Sequence, residues 1–391
     1  MMVYSALLFN QSHADTFVVA HAKTISPYNV ERLPLGIRCV DKFLLGGFPR
    51  GTGYTVIAGS RGKGKSTVIN QIVAQAIEMQ KGVLMYSGEK SCGTVKGDLE
   101  ATLAGPFGME CVHIPKKKIG GHTFDAHDEY RVNSKFQKVI NRSYENLVSF
   151  YKPNSSNFDN LLKTVNDFAD CGGEVVIVDN VMMLESGISN STIKASEDRR
   201  KLQAGLVELA QLAINRNLWI FVVAHTKKEQ PGYQPEDLSD LVRGDSVVTD
   251  AASLVLFYQV PSGEPDSKDR VIKISKNRDF GDLNTENGFR VTFNLPSKRI
   301  YDPNNTIKEL GYKYLWQRLV ETSPERYGLQ VEDVIHNMNK CDDVVNAARA
   351  SKDAELAQLK ARAAEKRAKQ RKEAAVKEVT LAKRAEKLGI K

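Results

Sequence analysis

Tyr54-Thr-Val-Ile-Ala58 is an apolar, β-branched run that leads directly into Gly59-Ser-Arg-Gly-Lys-Gly-Lys65-Ser66 and then into the helix-like Thr67-Val-Ile-Asn-Gln-Ile-Val-Ala-Gln-Ala-Ile77. Strand, glycine loop and helix in this order make a phosphate site. The loop fits G-x-x-x-x-G-K-[ST], in which glycines let backbone N–H groups face the phosphates and the helix N-terminus adds the positive end of its dipole. The nucleotide cradle is therefore expected from Gly59, Ser60, Arg61, Gly62, Lys63, Gly64, Lys65, Ser66 and Thr67. Lys65 is placed at the β- and γ-phosphates, and the Ser66 hydroxyl on Mg²⁺. The bound nucleotide is ATP or GTP.

Outward from this loop, apolar runs alternate with helix-length segments. Candidate strands are 53–58, 83–87, 111–114, 174–178, 219–224, 253–259, 270–275 and 289–294. The first five have the spacing of a parallel sheet covered on both faces, and the last three are close enough to form an antiparallel edge. One long connection, 88–173, holds Pro115-Lys-Lys-Lys-Ile-Gly-Gly121, a helix expected over about 128–143, a strand-like 147–151 and a helix over about 158–171. Lys116, Lys117 and Lys118 read as a solvated turn, with a nucleic-acid contact as the alternative.

Three strand ends carry candidate chemistry. Glu174-Val-Val-Ile-Val-Asp179 places a carboxylate at the sheet's carboxyl edge, where Asp179 supports the metal beside Ser66. Val83-Leu-Met-Tyr-Ser-Gly-Glu89 ends in the expected general base, Glu89, which polarises the water attacking the γ-phosphate. Phe221-Val-Val-Ala-His225 puts an imidazole where it can sense that phosphate. Past it, residues 227–245 are either a mobile DNA-contacting loop or plain connecting surface. Finally, Ser275-Lys-Asn-Arg278 sets Lys276 and Arg278 two residues apart, on one strand face, as candidate transition-state cations.

Composition bounds the class. With 41% hydrophobic and 26% charged residues, the 391-residue chain has the make-up of a soluble globular protein. Its longest apolar runs, such as Leu218-Trp-Ile-Phe-Val-Val-Ala224, fall far below the ~20 residues that span a bilayer. Met1-Met-Val-Tyr-Ser-Ala-Leu-Leu-Phe9 lacks the basic start of a signal peptide, so the expected location is a cytoplasm, or a host's cytoplasm for a bacteriophage protein. Cys39, Cys92, Cys111, Cys171 and Cys341 form no C-x₂-C pair, which argues against a zinc module and for buried free thiols. The net charge of +8 resides entirely in residues 348–391, which hold 14 Lys/Arg and 6 Asp/Glu. That Ala-rich tail reads as an exposed or partly disordered basic helix, with contact to a polyanion or partner as the alternative.

Taken together, Leu35-Gly-Ile-Arg-Cys-Val-Asp-Lys-Phe-Leu-Leu-Gly-Gly47, the phosphate loop, Gly88-Glu89, Val178-Asp-Asn-Val-Met-Met-Leu184, Ala224-His-Thr-Lys-Lys-Glu229, Arg243-Gly244 and Ser275-Lys-Asn-Arg278 resemble, in order, the RecA-like core of hexameric replicative helicases. The likeness is greatest to the mitochondrial Twinkle type and bacteriophage primase-helicases, with DnaB-like helicases further off. It covers about residues 33–300. The resemblance implies an α/β, RecA-like P-loop NTPase with a mostly parallel central sheet, plus a helical basic C-terminal tail.

It also implies a ring, most simply a homo-hexamer, that hydrolyses ATP with Mg²⁺ and translocates on single-stranded DNA during replication. A separate primase, polymerase or single-strand-binding protein would be possible partners, and no membrane is involved. Lys276 and Arg278 would then act on the neighbour's ATP, and segments at about 185–200 and 226–242 would be channel loops. A RecA/RadA-like recombination or repair ATPase is the alternative, and an ATPase without a nucleic-acid role is a third reading. The expected organisation is an arm (1–32), the RecA-like ATPase domain (33–303), a helical extension (304–347) and the basic tail (348–391). No primase-like or zinc-binding region precedes the core, so priming is not implied.

Overall fold

The computed structural model describes residues 29–387 apart from Gly121 and residues 152–157, 185–191, 228–237, 243–246, 262–263, 265–266 and 268. A short antiparallel pair, β1 (Arg32–Leu33) and β2 (Phe48–Pro49), flanks α1 (Arg38–Phe43). The α/β alternation follows as β3 (Tyr54–Gly59), α2 (Lys65–Glu78), β4 (Val83–Ser87) and α3 (Cys92–Gly108). Next come β5 (Met109–Ile114), β6 (Lys117–Ile119), β7 (His122–Phe124) and β8 (His127–Val132), then α4 (Ser134–Tyr144) and β9 (Val148–Tyr151). The second half runs α5 (Phe158–Asp170), β10 (Val175–Asp179), α6 (Thr192–Asn215), β11 (Trp219–His225), α7 (Val247–Asp250), β12 (Leu254–Gln259), β13 (Asp269–Asn277), β14 (Asn284–Asn294) and β15 (Arg299–Tyr301). Helices α8 (Thr306–Glu309), α9 (Leu315–Thr322) and α10 (Val331–Lys387) complete the chain.

Among the described residues nine strands form the central sheet, in the order β15-β14-β13-β12-β3-β11-β10-β4-β9. Strands β12, β3, β11, β10, β4 and β9 are mutually parallel, and β13, β14 and β15 are added antiparallel. Parallel strands buried on both faces read as continuous apolar runs, and their alternate side chains supply two separate cores. Val175, Ile177, Trp219, Phe221, Leu254 and Leu256 enter one core with α2 and α3. Val176, Val178, Ile220, Val222, Val255 and Phe257 enter the other with α5 and α6. The carboxyl ends of β3, β4, β10 and β11 consequently share one edge of the sheet.

Three sequence expectations need correction. Residues 111–114 are not a strand of the parallel sheet; within β5 they pair antiparallel with β8 in a ribbon of their own. Side chains there alternate between exposed and half-buried, as on a strand with one wet face, rather than being buried throughout. The helix expected over 128–143 is a strand through Val132, and α4 begins only after Asn133, whose Oδ1 accepts the Lys135 N–H at 3.0 Å as an N-cap. Among the late strands, β12 is parallel to β3, so the antiparallel edge starts at β13.

The cysteines are free, but only Cys341 is buried, while Cys111 and Cys171 are exposed. Among the described residues no helix is long and apolar enough to cross a membrane.

Residues after the sheet pack on the α2/α3 face. Leu310, Tyr314, Trp316, Val320, Val334, Cys341 and Val345 share its core. Trp316 packs near Phe107 and Phe136 and donates its indole N–H to the Leu103 carbonyl at 3.1 Å. Trp316→Ala is expected to cost about 3–5 kcal/mol, since it deletes a buried aromatic and orphans that carbonyl. A urea denaturation midpoint close to that of the parent chain would contradict this. The first turns of α10 are held by Val334, Cys341 and Val345. The helix then continues to Lys387, 57 residues in all, or about 85 Å at 1.5 Å per residue.

Candidate active site

The phosphate loop turns between β3 and α2. Gly64, the N-cap of α2, takes φ 98°, and Gly62 takes φ 69°, conformations that side chains with a Cβ resist. At Gly59 the constraint is closeness: a Cβ there would stand 2.4 Å from the Tyr258 carbonyl oxygen of the neighbouring β12. The loop is tied to its surroundings on both sides. Ser60 Oγ lies 3.1 Å from Thr226 Oγ1, and the Arg270 Nε donates to the Lys63 carbonyl at 3.1 Å. Arg61 is exposed, Lys63, Ser66 and Thr67 are partly buried, and the Thr67 N–H closes the first helical turn on the Gly64 carbonyl.

Lys65 is buried and curls back over the loop. Its ammonium donates to the Gly59 carbonyl at 2.8 Å and to the Ser60 carbonyl at 3.0 Å, and lies 2.9 Å from His225 Nδ1. Burial pulls its pKa below the usual lysine value, against the opposing charges of Asp179 and Glu89. A protonated Lys65 can only donate, so Nδ1 of His225 accepts and the ring proton sits on Nε2. That Nε2 lies 2.7 Å from Glu89 Oε1, which also accepts from Asn180 Nδ2 at 3.0 Å.

For Glu89, burial acts to raise the pKa, but the bonds from Asn180 and His225 and the charge of Lys65 outweigh it and keep the carboxylate ionised. Burial is also the largest influence on His225 and holds it below the ordinary histidine value, consistent with a neutral ring. Lys65, His225, Glu89 and Asn180 thus form one chain of hydrogen bonds. It joins the phosphate loop to the ends of β11, β4 and β10.

Ser66 and Asp179 line a single small cleft with Tyr86, Ser87 and Asp98. Burial, and then the charge of Glu89, push the Asp179 carboxyl up to about 6. One hydroxyl and one carboxylate facing a phosphate cradle fit Mg²⁺, which keeps several waters and binds through one or two protein groups plus substrate phosphates. An all-protein cage is a different matter: among the described residues no cluster of three His, Cys, Asp or Glu could hold a metal.

Lys276 and Arg278 stand elsewhere. Because β13 runs antiparallel to β12, Lys276 is level with Val255 and hence with Val56 of β3. Asn277 is level with Leu254 and Thr55, at the amino end of the parallel strands. Thr55 is four residues short of Gly59, about 13 Å along the strand. Both cations bind the last carbonyls of α7: Lys276 Nζ reaches the Thr249 and Asp250 carbonyls at 2.7 and 2.9 Å, and Arg278 Nη2 that of Asp250 at 2.6 Å. Arg278 remains exposed.

The expected loops are described in part. Thr226 bridges to Val242 and the Lys227 N–H donates to the Leu241 carbonyl, so the two ends of the segment after His225 are clamped together. Residues 185–191 and 228–237, and Arg243-Gly244, lie outside the described residues. Sequence reasoning passes over Asn180 and Thr226, although each directly follows a residue it singles out, Asp179 and His225.

No protein-family model and no curated protein matches the chain. Solved structures do. In the structure of a DnaB-like replicative helicase and its interactions with primase, the matched chain superposes with a TM-score of 0.53 at 14% identity, over 70% of this chain and 63% of that one. A second solved structure, of an ATPase domain, superposes with a TM-score of 0.51 at 12% identity, over 70% of this chain and 92% of that one. The fold is that of the RecA-like P-loop ATPases. A KaiC-like protein from Pyrococcus horikoshii OT3 also aligns, at 16% identity and a TM-score of 0.44, over 70% of this chain and 98% of that one. The chain spans less than two thirds of the length of the DnaB-like helicase it matches.

Proposed function

We propose that the chain is the motor subunit of a ring-shaped, ATP-dependent DNA helicase, a homo-hexamer that translocates on single-stranded DNA in replication. One observation carries this reading. The groups suited to hold and attack a γ-phosphate converge at the carboxyl edge of the sheet, whereas the Lys276/Arg278 pair faces the amino end, out of reach of its own phosphate loop. An exposed arginine finger in that position serves a neighbour's nucleotide, which makes an interface between subunits the working unit.

In this account Lys65 leaves the Gly59 and Ser60 carbonyls for the β- and γ-phosphates as ATP enters. His225, losing the lysine at Nδ1, takes up a proton from solvent there under the negative charge of the γ-phosphate, donates it to a phosphate oxygen, and reports the phosphate's presence to Glu89 through Nε2. Glu89, steadied by Asn180, takes the proton of the attacking water. Ser66 and Asp179 would hold Mg²⁺, which supplies charge neutralisation on the phosphate oxygens. Glu89→Gln keeps the shape and the hydrogen bond to His225 but loses the basic lone pair. Turnover is expected to fall on the order of 10²–10⁴-fold, with ATP still bound. Hydrolysis within a few-fold of the parent would move the base elsewhere.

The test of the whole reading is ATP turnover measured with and without single-stranded DNA, alongside particle mass. Rings whose turnover rises with DNA support it. Filaments would favour a recombinase, and turnover indifferent to DNA would remove the nucleic-acid role.

A further inference from the structure

Between α3 and α4 the chain leaves the domain as a two-stranded ribbon that takes no part in the nucleotide site. Its root is held. Met109 is buried, the Lys340 ammonium of α10 binds the Met109 carbonyl, and the Asn133 N–H donates to the Gly108 carbonyl at 2.9 Å. Along the shaft β5 and β8 pair from Met109↔Val132 to Ile114↔His127, with Arg131 paired to Glu110 at 3.0 Å and His113 Nδ1 2.9 Å from Asp128 Oδ1 across the ladder.

Beyond Pro115 the character changes. β6 and β7 pair Lys117 with Phe124, Lys118 with Thr123 and Ile119 with His122. From Lys116 to Phe124 there is no acidic residue. Lys116, Lys117 and Lys118 are all exposed, and Phe124 is 53% exposed. The nearest acid, Asp125, pairs with Lys116 at 3.1 Å, but both side chains are largely in solvent, where such a pair contributes little and is easily exchanged for another anion.

We propose that this tip, the paired residues Lys117–Ile119 and His122–Phe124 together with Lys116, is a second contact for single-stranded nucleic acid. An isolated two-stranded hairpin is marginally stable in water, so a ribbon carried past its packed root adds little to the fold. A phenyl ring set across the ladder from a lysine, with two more cations alongside, matches what a single strand offers: phosphates for the ammonium groups and an unstacked base for the ring. A duplex keeps its bases stacked and would leave the ring unused.

The ribbon's root lies away from the carboxyl ends of β10 and β11. Helix α3 begins next to Glu89 at the carboxyl edge and runs back along the sheet. Its far half lies against Trp316, and the adjacent Leu315 N–H bonds the carboxylate of Glu78 at the amino-edge end of α2. The ribbon therefore springs from the side opposite the phosphate loop. This inference rests on the proposal that the chain handles single-stranded DNA.

The test is fluorescence anisotropy of a labelled oligodeoxythymidine with the full chain and a non-hydrolysable ATP analogue, repeated across a salt titration. Lys117→Ser with Lys118→Ser should weaken binding about ten-fold or more and make the log–log salt slope shallower by about 1.4, roughly 0.7 per lost phosphate contact. Phe124→Ala should weaken binding on the order of ten-fold, one stacked base, with the slope unchanged. An oligonucleotide carrying bromodeoxyuridine should photocrosslink to the peptide that holds Phe124.

All three side chains are exposed, so DNA-independent ATP turnover should match the parent and certify the fold. Parent-like affinity and slope in both variants would overturn the ribbon contact while leaving the motor intact. Equal competition by blunt duplex would overturn its single-strand character. A parent chain that binds no oligonucleotide would remove the helicase reading and this contact together.

Discussion

Lys65→Ala is expected to leave a folded chain whose ATP turnover has fallen on the order of 10³-fold or more. Lys65 is the buried cation of the glycine loop, held by two loop carbonyls and His225 over the space proposed for the phosphates. In a water-poor site a charge aimed at the transferring phosphoryl group is worth far more than the same charge in solvent. Alanine removes it and also takes away the donor that fixes the His225 tautomer, so Glu89 loses its link to the nucleotide. Folding survives because β3 and α2 are secured by Ile57, Val68, Ile72 and Val73 in the core rather than by this side chain. Near-parent turnover, measured by phosphate release, would remove the phosphate-loop assignment.

Arg278→Ala is expected to cost on the order of 10³–10⁵ in turnover while ATP affinity is retained. The arginine lies at the amino end of the sheet beside the last carbonyl of α7, too far from its own loop to touch the nucleotide there. Its loss is felt across an interface or not at all. Mixing decides this. Where an Arg278→Ala subunit meets a Lys65→Ala subunit in the right order, an intact phosphate loop faces an intact finger, so mixed rings should regain part of the parent rate. If verified mixed rings recover nothing, and ring-wide cooperativity has been excluded by diluting parent subunits with either variant, the finger does not act in trans.

The parts of the molecule legible in sequence are those set by local rules. The phosphate loop is a contiguous motif, and apolar runs ending in Glu89, Asp179 and His225 announce strands whose carboxyl ends must meet once the sheet is parallel. What is not legible depends on contacts distant in sequence. Nothing in the chain near Lys65 says that its ammonium rests on His225, or that Asn180 shares Glu89 with that histidine.

The ribbon escapes a sequence reading for a different reason. His127-Asp-Glu-Tyr-Arg-Val132 is rich in charged residues and continues into a true amphipathic helix, so the helical period extends backwards across it. One signal speaks against that, Asn133 as a helix cap. The cysteines show the limit of composition. Thiols without a pairing pattern read as buried, but Cys111 follows the alternation of a wet ribbon and Cys171 lies in the turn just past α5, and both are exposed.

If ATP hydrolysis at subunit interfaces drives the chain along single-stranded DNA, strand release from a forked duplex will show it. The labelled strand should be released with ATP and Mg²⁺, but not with a non-hydrolysable analogue and not by Glu89→Gln rings that still bind the fork. A chain that hydrolyses ATP on the fork without releasing the strand, or that releases it equally well without hydrolysis, would contradict it.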